Sequence, residues 1–197
     1  MVKKTKKGIH IVAIRGSVRP GNYTAKALDL VVDELQNLEY CSCDLVDPAE
    51  LKLSFPGLGQ DSDDGSKLRE LVSQATGVIL STPEYHGGYS SVIKLVIENL
   101  GFPSVLAGKP VALLGVAAGQ IGAIKSLESL RGVASHVGAI VLPGPVSVAR
   151  VQQVFDQDGK CLDETMEKVI RSVGTNLIRY IQDNICPRMT LEAMVRN

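Results

Sequence analysis

Two short stretches carry residue types suited to holding a flat, anionic ligand. The first is Arg15-Gly16-Ser17-Val18-Arg19-Pro20-Gly21-Asn22-Tyr23-Thr24. The hydroxyls of Ser17 and Thr24, the amide of Asn22 and the guanidinium of Arg19 stand where an apolar strand hands over to a helix. Backbone N–H groups at a helix start lack intrahelical partners, and the helix dipole favours an anion there. An arginine adds a charged fork. A phosphate suits this set; the plainer reading is a turn in which Asn22 or Thr24 only caps the helix. The second stretch follows the apolar run Val78-Ile79-Leu80, which is expected to break at Ser81-Thr82-Pro83. There Glu84-Tyr85-His86-Gly87-Gly88-Tyr89 forms a short loop before a helix that starts near Ser90. Gly87 and Gly88 allow backbone to approach a ring closely. The N–H groups of 84–88 are candidate donors to charge developing on such a ring, and Tyr85 offers a packing face.

Other chemistries fit the motifs less well. Gly16-x-x-x-x-Gly21 begins like a phosphate-binding P-loop, but Asn22-Tyr23 stand where Lys-Ser/Thr is required. The G-x-G-x-x-G spacing of dinucleotide-binding loops and the G-x-S-x-G elbow of hydrolases are both missing. No His/Cys/Asp/Glu cluster has metal-ligand spacing, so no metal is expected. Glu84 is read as a partner for a helix or an arginine, not as a base. His10 lies within a strand and reads as a satisfied core or edge histidine; His136 sits at a helix end, where a cap or dipole role suits it. Cys41 and Cys43 alternate along one strand and read as buried thiols on one face.

The elements that position these loops can be read in order. Strands are expected at about 8–14, 40–46, 78–80, 111–116 and 139–142, the last ended by Pro143-Gly144-Pro145. Helices are expected up to about Leu38, over 66–75, from Ser90 to about Leu100, up to about His136 and over 163–183, with Cys186-Pro187 ending the last. Residues 48–66 and 146–162 read as long loops. Strands alternating with helices imply a five-stranded parallel sheet covered on both faces, which suits the doubly wound order 2-1-3-4-5. In that order the loops after the first and third strands meet at the switch point, and these are the two loops above.

The 197 residues suggest one domain spanning 1–197, with a basic tail at 1–7 and a C-terminal tail at 187–197. Lysine plus arginine number 21 and aspartate plus glutamate 21, a balance that gives no electrostatic case for nucleic acid. No apolar run reaches the roughly 20 residues of a membrane span, and a cytoplasmic location is expected.

Gly16-Ser17-x-Arg19 with Asn22 and Thr24, Pro83-Glu84-Tyr85, and the turn Ala118-Gly119-Gln120-Ile121-Gly122 together resemble the NAD(P)H-dependent FMN reductase family. The resemblance spans about residues 8–182. It implies a flavodoxin-like three-layer α/β sandwich that binds FMN and oxidises NADPH or NADH. Electrons then pass to free flavin, quinones, azo compounds, chromate or other metal oxyanions. The family's pattern places the FMN phosphate on Ser17, Arg19, Asn22, Tyr23 and Thr24. It places the ring edge on Pro83, Glu84, Tyr85, His86 and Gly87, with Ala118 and Gly119 facing the ring. Hydride transfer obliges no general acid, so no catalytic residue is assigned. The resemblance further implies a homodimer or homotetramer. Three positions depart from the family's pattern: His86 replaces its usual Asn, Ser90-Ser91 replaces a common proline, and Leu95 replaces an Asn. A non-enzymatic FMN electron carrier, a redox-sensing flavoprotein and a flavin-free scaffold are the alternatives.

Overall fold

A computed structural model describes residues 8–58 and 62–196 of the chain. The basic run 1–7, residues 59–61 of the first long loop and the terminal Asn197 lie outside the described residues. Strand β1 (Ile9–Ile14) pairs in parallel with β2 (Cys41–Val46) on one side and β3 (Gly77–Pro83) on the other. Beyond β3 lies β4 (Pro110–Val116), which pairs with both β5 (Ile140–Val141) and β6 (Val146–Val148). The path β2-β1-β3-β4-β5 is the doubly wound order expected from the sequence. Every residue of β3 and β4 is buried, as their continuous apolar runs require in the middle of a parallel sheet.

Helices α1 (Tyr23–Gln36) and α6 (Glu164–Tyr180) cover one face, packing Leu28, Val31, Ile170 and Leu177 against Ile11 and Ile79. Helices α2 (Asp63–Gln74), α3 (Ser91–Glu98) and α4 (Ile124–His136) cover the other, where Val72, Ile93 and Leu130 meet Val12 and Val78. Alternate residues of one strand thus feed two separate cores. Asn22, Ser62, Ser90 and Asp163 cap α1, α2, α3 and α6 with side-chain oxygens.

Four expectations change. The third strand does not break at Ser81 but runs on through Pro83. Its buried hydroxyls are satisfied locally: Ser81 Oγ donates to Ile14 O at 2.8 Å, and Thr82 Oγ1 accepts from Ser90 N at 3.0 Å. The fifth strand is interrupted by Pro143-Gly144-Pro145, not ended by it. Val141 lies opposite Val111 and Val146 opposite Leu114, so 142–145 bulge out against two residues of β4 and the chain re-enters as β6. The second long loop is therefore partly ordered as β6 and a short helix, α5 (Val151–Val154). Finally, Pro187 does not end the last helix. A π-turn over Ile181–Ile185, in which the Cys186 N–H reaches Ile181 O, widens the chain ahead of the proline ring, and α7 (Cys186–Arg196) follows. Cys41 and Cys43 share a face as expected, but they are half-buried because β2 is an edge strand.

Candidate functional site

The two chemistry-bearing loops are stitched together. Gly16 N–H donates to Ser81 Oγ at 3.2 Å, and Ser90 Oγ donates to Gly16 O at 2.5 Å. Ser90 Oγ also accepts from Ile93 N at 3.1 Å, so one hydroxyl caps α3 and holds the loop after β1. A Cβ at Gly16 would lie 1.9 Å from the Ser81 carbonyl oxygen, so the approach of the two backbones requires glycine.

Where these loops meet the end of β4, a cleft of about 330 Å³ opens. Arg19, Asn22, Tyr23 and Thr24 line one end, Pro83, Glu84 and Tyr85 the other, and Ala118 the side toward β4. Ser17 lies behind the wall, 3% exposed, with its Oγ accepting from Arg19 N at 3.4 Å. His86 and Gly87 form the exposed tip beside Tyr85, and Gly119 follows Ala118 on the rim. Eight of the twelve predicted site residues therefore line one cleft, and the other four adjoin it in sequence or support it.

The polar groups are only partly free to serve a ligand. Asn22 Oδ1 accepts from Ala25 N at 2.8 Å and its Nδ2 donates to Arg19 O at 2.7 Å, so its amide caps α1 and closes its own loop. The plainer reading holds for that side chain. The backbone N–H groups of Tyr23 and Thr24, at the open end of α1, have no acceptor among the described residues. Of the N–H groups in 84–88, those of Glu84, Tyr85 and Gly88 bond internally, to Val116 O, Gly88 O and Tyr85 O. Only His86 and Gly87 keep outward donors. Their positive φ values, 53° and 75°, make this a two-residue type I′ turn.

Across the cleft the carbonyls of 117–119 point away. Val151 N donates to Ala117 O at 3.1 Å, Gln152 Nε2 to Ala118 O at 3.2 Å and Arg150 N to Gly119 O at 3.1 Å. The N–H groups of Ala118, Gly119 and Gln120 meet no acceptor among the described residues. Charge is sparse: Glu84 is the lone lining carboxylate, and its Oε2 accepts from Ser126 N at 3.1 Å in the first turn of α4. Its helix-pairing role is as expected. Arg15 is engaged elsewhere, bound to Asp47 at 2.7 Å and Asp29 at 2.8 Å.

Pro20, Gly21, Val116, Ala117 and Val151 also line the cleft without having been anticipated as site residues. The first four flank predicted motifs. Val151 carries no local signal; it reaches the cleft only because β6 restores pairing with β4.

The model of the NADPH-dependent FMN reductase family matches residues 9–153. The chain belongs to that family. This FMN reductase is similar to an NAD(P)H-dependent FMN reductase of Pseudomonas aeruginosa, at 26% identity over 83% of the chain and 90% of the relative. It is 36% identical to an NADPH azoreductase of a Bacillus species, over 62% of the chain and 66% of that protein. Its fold is flavodoxin-like. It superposes on the flavoenzyme NAD(P)H:(acceptor) oxidoreductase FerB of Paracoccus denitrificans with a TM-score of 0.76 at 20% identity, covering 89% and 98% of the two chains. The reductase is an oxidoreductase that uses FMN with NADPH or NADH. Its cleft fits that cofactor: outward N–H donors and Arg19 at the α1 end suit a phosphate, and apolar walls from Pro83, Tyr85, Val116 and Val151 suit a flat ring.

Proposed function

We propose that the chain oxidises NADPH or NADH and passes the electrons to free flavin, quinones, azo compounds or metal oxyanions. FMN, when bound, supplies the hydride chemistry. The protein's part is to bind and orient. Arg19 and the N–H groups of Tyr23 and Thr24 hold the anionic tail. The N–H groups of His86 and Gly87, with those of Ala118 and Gly119 opposite, meet the polar edge of the ring. Their donors stabilise negative charge that develops there. Tyr85, 40% exposed at the mouth, packs against the ring or the incoming nicotinamide. Glu84, the one carboxylate lining the cleft, pairs with the first turn of α4, and hydride transfer asks of the protein placement and electrostatic support rather than a general acid.

The observation that carries this reading is the union of the loops after β1 and β3 around one cleft, with donors at both ends. An electron carrier is the second reading, and the even balance of charge disfavours it, because a carrier that docks on protein partners gains from one sign of charge. Anaerobic mixing with NADPH separates the two: the reductase bleaches its flavin, whereas a carrier stays oxidised. Pyridine-nucleotide oxidation with FMN, a quinone and oxygen as alternative acceptors then gives acceptor class. Turnover with none of them would sink the reductase assignment.

The protein works as a homo-oligomer in the cytoplasm. Val92 and Leu95 on the outer side of α3, with exposed Val18 and half-buried Leu53, border an apolar groove of about 190 Å³ beside the cleft. A second copy covering it would bury these apolar side chains. Light scattering on the purified holoprotein should give a dimer or tetramer mass; a monomer at micromolar concentration would refute this. No helix among the described residues is long and apolar enough to cross a membrane.

A further inference from the structure

Arg150 stands in the left-handed backbone region, at φ 47° and ψ 42°. Among the described residues, His86 is the one other non-glycine with positive φ, and both flank the cleft. The backbone reason is clear: the turn lets the N–H groups of Arg150 and Val151 reach the carbonyls of Gly119 and Ala117. Glycine or asparagine would hold that pose with less strain. An arginine there is unexplained by backbone geometry, and strain of this kind gathers at functional positions.

Its side chain is not consumed by the fold either. Nη2 donates to Gln120 Oε1 at 3.1 Å, a neutral amide. No carboxylate lies within ion-pair distance of it among the described residues, whereas Arg15 and Arg171 are each gripped by at least two. Arg150 therefore presents an uncompensated, exposed charge next to Val151, which lines the cleft.

In Rossmann dinucleotide sites a carboxylate holds the adenosine ribose of NADH and an arginine the 2′-phosphate of NADPH; in any fold, telling the two nucleotides apart calls for a cation near that phosphate. Glu84, the one carboxylate lining the cleft, is turned to α4, where its Oε2 accepts from Ser126 N. Arg15 cannot serve as that cation because Asp29 and Asp47 hold it. Arg19 sits at the α1 end, with the FMN phosphate. We propose that Arg150 binds the 2′-phosphate of NADPH and sets this enzyme's preference for NADPH over NADH. The inference rests on the reading of the cleft as the FMN and nicotinamide site.

Arg150→Asn is the appropriate variant, since asparagine tolerates the left-handed pose and leaves the turn intact. Loss of a charge-assisted contact predicts that kcat/KM with NADPH falls by about 10- to 100-fold while that with NADH stays within about twofold. Calorimetric binding of NADP+ to the FMN-loaded protein should weaken by a similar factor, with NAD+ binding and FMN content unchanged. Arg150→Lys should recover part of the loss. Lys125 is the rival cation, an exposed lysine whose stem lies beside Gly87 at the tip of the turn. Equal losses with both nucleotides, no loss with either, or the NADPH-specific loss appearing in Lys125→Ala instead would overturn the proposal. Loss of FMN from Arg150→Asn would overturn it too, by placing the residue in the flavin site. A wild-type protein that retains no FMN would refute the cleft reading itself, and this is seen from flavin absorbance before any nucleotide is added.

Discussion

Single side chains at the cleft differ in what they can lose. Arg19 is exposed and has no ion-pair partner among the described residues, so its charge is available to a phosphate. Arg19→Ala should weaken FMN binding about tenfold, as loss of an exposed charge-assisted hydrogen bond does; recovery of free-flavin fluorescence on dilution measures it, and unchanged affinity would remove Arg19 from the phosphate site. Asn22 is different, because its amide caps α1. His86 occupies the first central position of a type I′ turn, where asparagine is the commonest residue and histidine is tolerated. His86→Asn should therefore leave the melting temperature unchanged or slightly raised. His86→Val, branched at Cβ, should cost about 1–2 kcal/mol and weaken FMN binding with it, because the His86 and Gly87 donors are aimed by the turn. A valine variant that melts with the wild type would show that the turn does not need its left-handed residue.

At the level of elements, the junction of β1, β3 and α3 holds the cleft open. Ser90→Ala removes the cap of α3 and the tether to Gly16 together, and should cost about 2 kcal/mol in denaturant unfolding. FMN affinity should fall in the same variant, since the loop after β1 loses its hold. If stability falls but FMN affinity does not, the tether is a folding device only. The edge strand gives a different prediction. Burial holds the Cys43 thiol up at about 12 and the Cys41 thiol at about 11, against an ordinary value of 9.0. In the unfolded chain both ionise near their ordinary value, so above that pH the unfolded state binds fewer protons than the folded one. Stability contributed by the neutral thiols is complete below pH 9 and declines as pH rises through about 11 and 12. Urea unfolding between pH 8 and 11 should show this decline, and a Cys41→Ala, Cys43→Ala double variant should flatten it. An equally steep decline in the double variant would assign the effect to other groups.

For the whole molecule, the carboxyl ends of three central strands, β1, β3 and β4, deliver the site, so the cleft depends on the sheet's order more than on any one motif. Gly115 shows the tolerance involved. A Cβ there would lie 2.7 Å from Ala123 Cβ and 2.8 Å from Leu127 Cγ, between β4 and α4. Gly115→Ala should force α4 away from the sheet at a cost of about 1–3 kcal/mol and move Glu84's contact with Ser126, read together as lower stability and lower flavin occupancy. Retained stability would mean that α4 shifts freely on the sheet.

The sequence by itself determined the sheet order, the pairing of the loops at 15–24 and 81–90, and the family, because buried parallel strands read as continuous apolar runs and the ligand-binding residues sit together in short loops. It also marked Arg19, Tyr85 and Ala118, which need only local backbone to reach the cleft. Tertiary structure decided the rest. Whether the Asn22 amide faces a ligand or its own helix depends on the fold of its loop. Whether Pro143 ends a strand or only bulges it depends on β4 waiting alongside, and whether Pro187 stops a helix depends on the π-turn before it. Val151 and Arg150 come to the site through a pairing between β4 and β6 more than thirty residues apart, and no local pattern encodes a contact of that range.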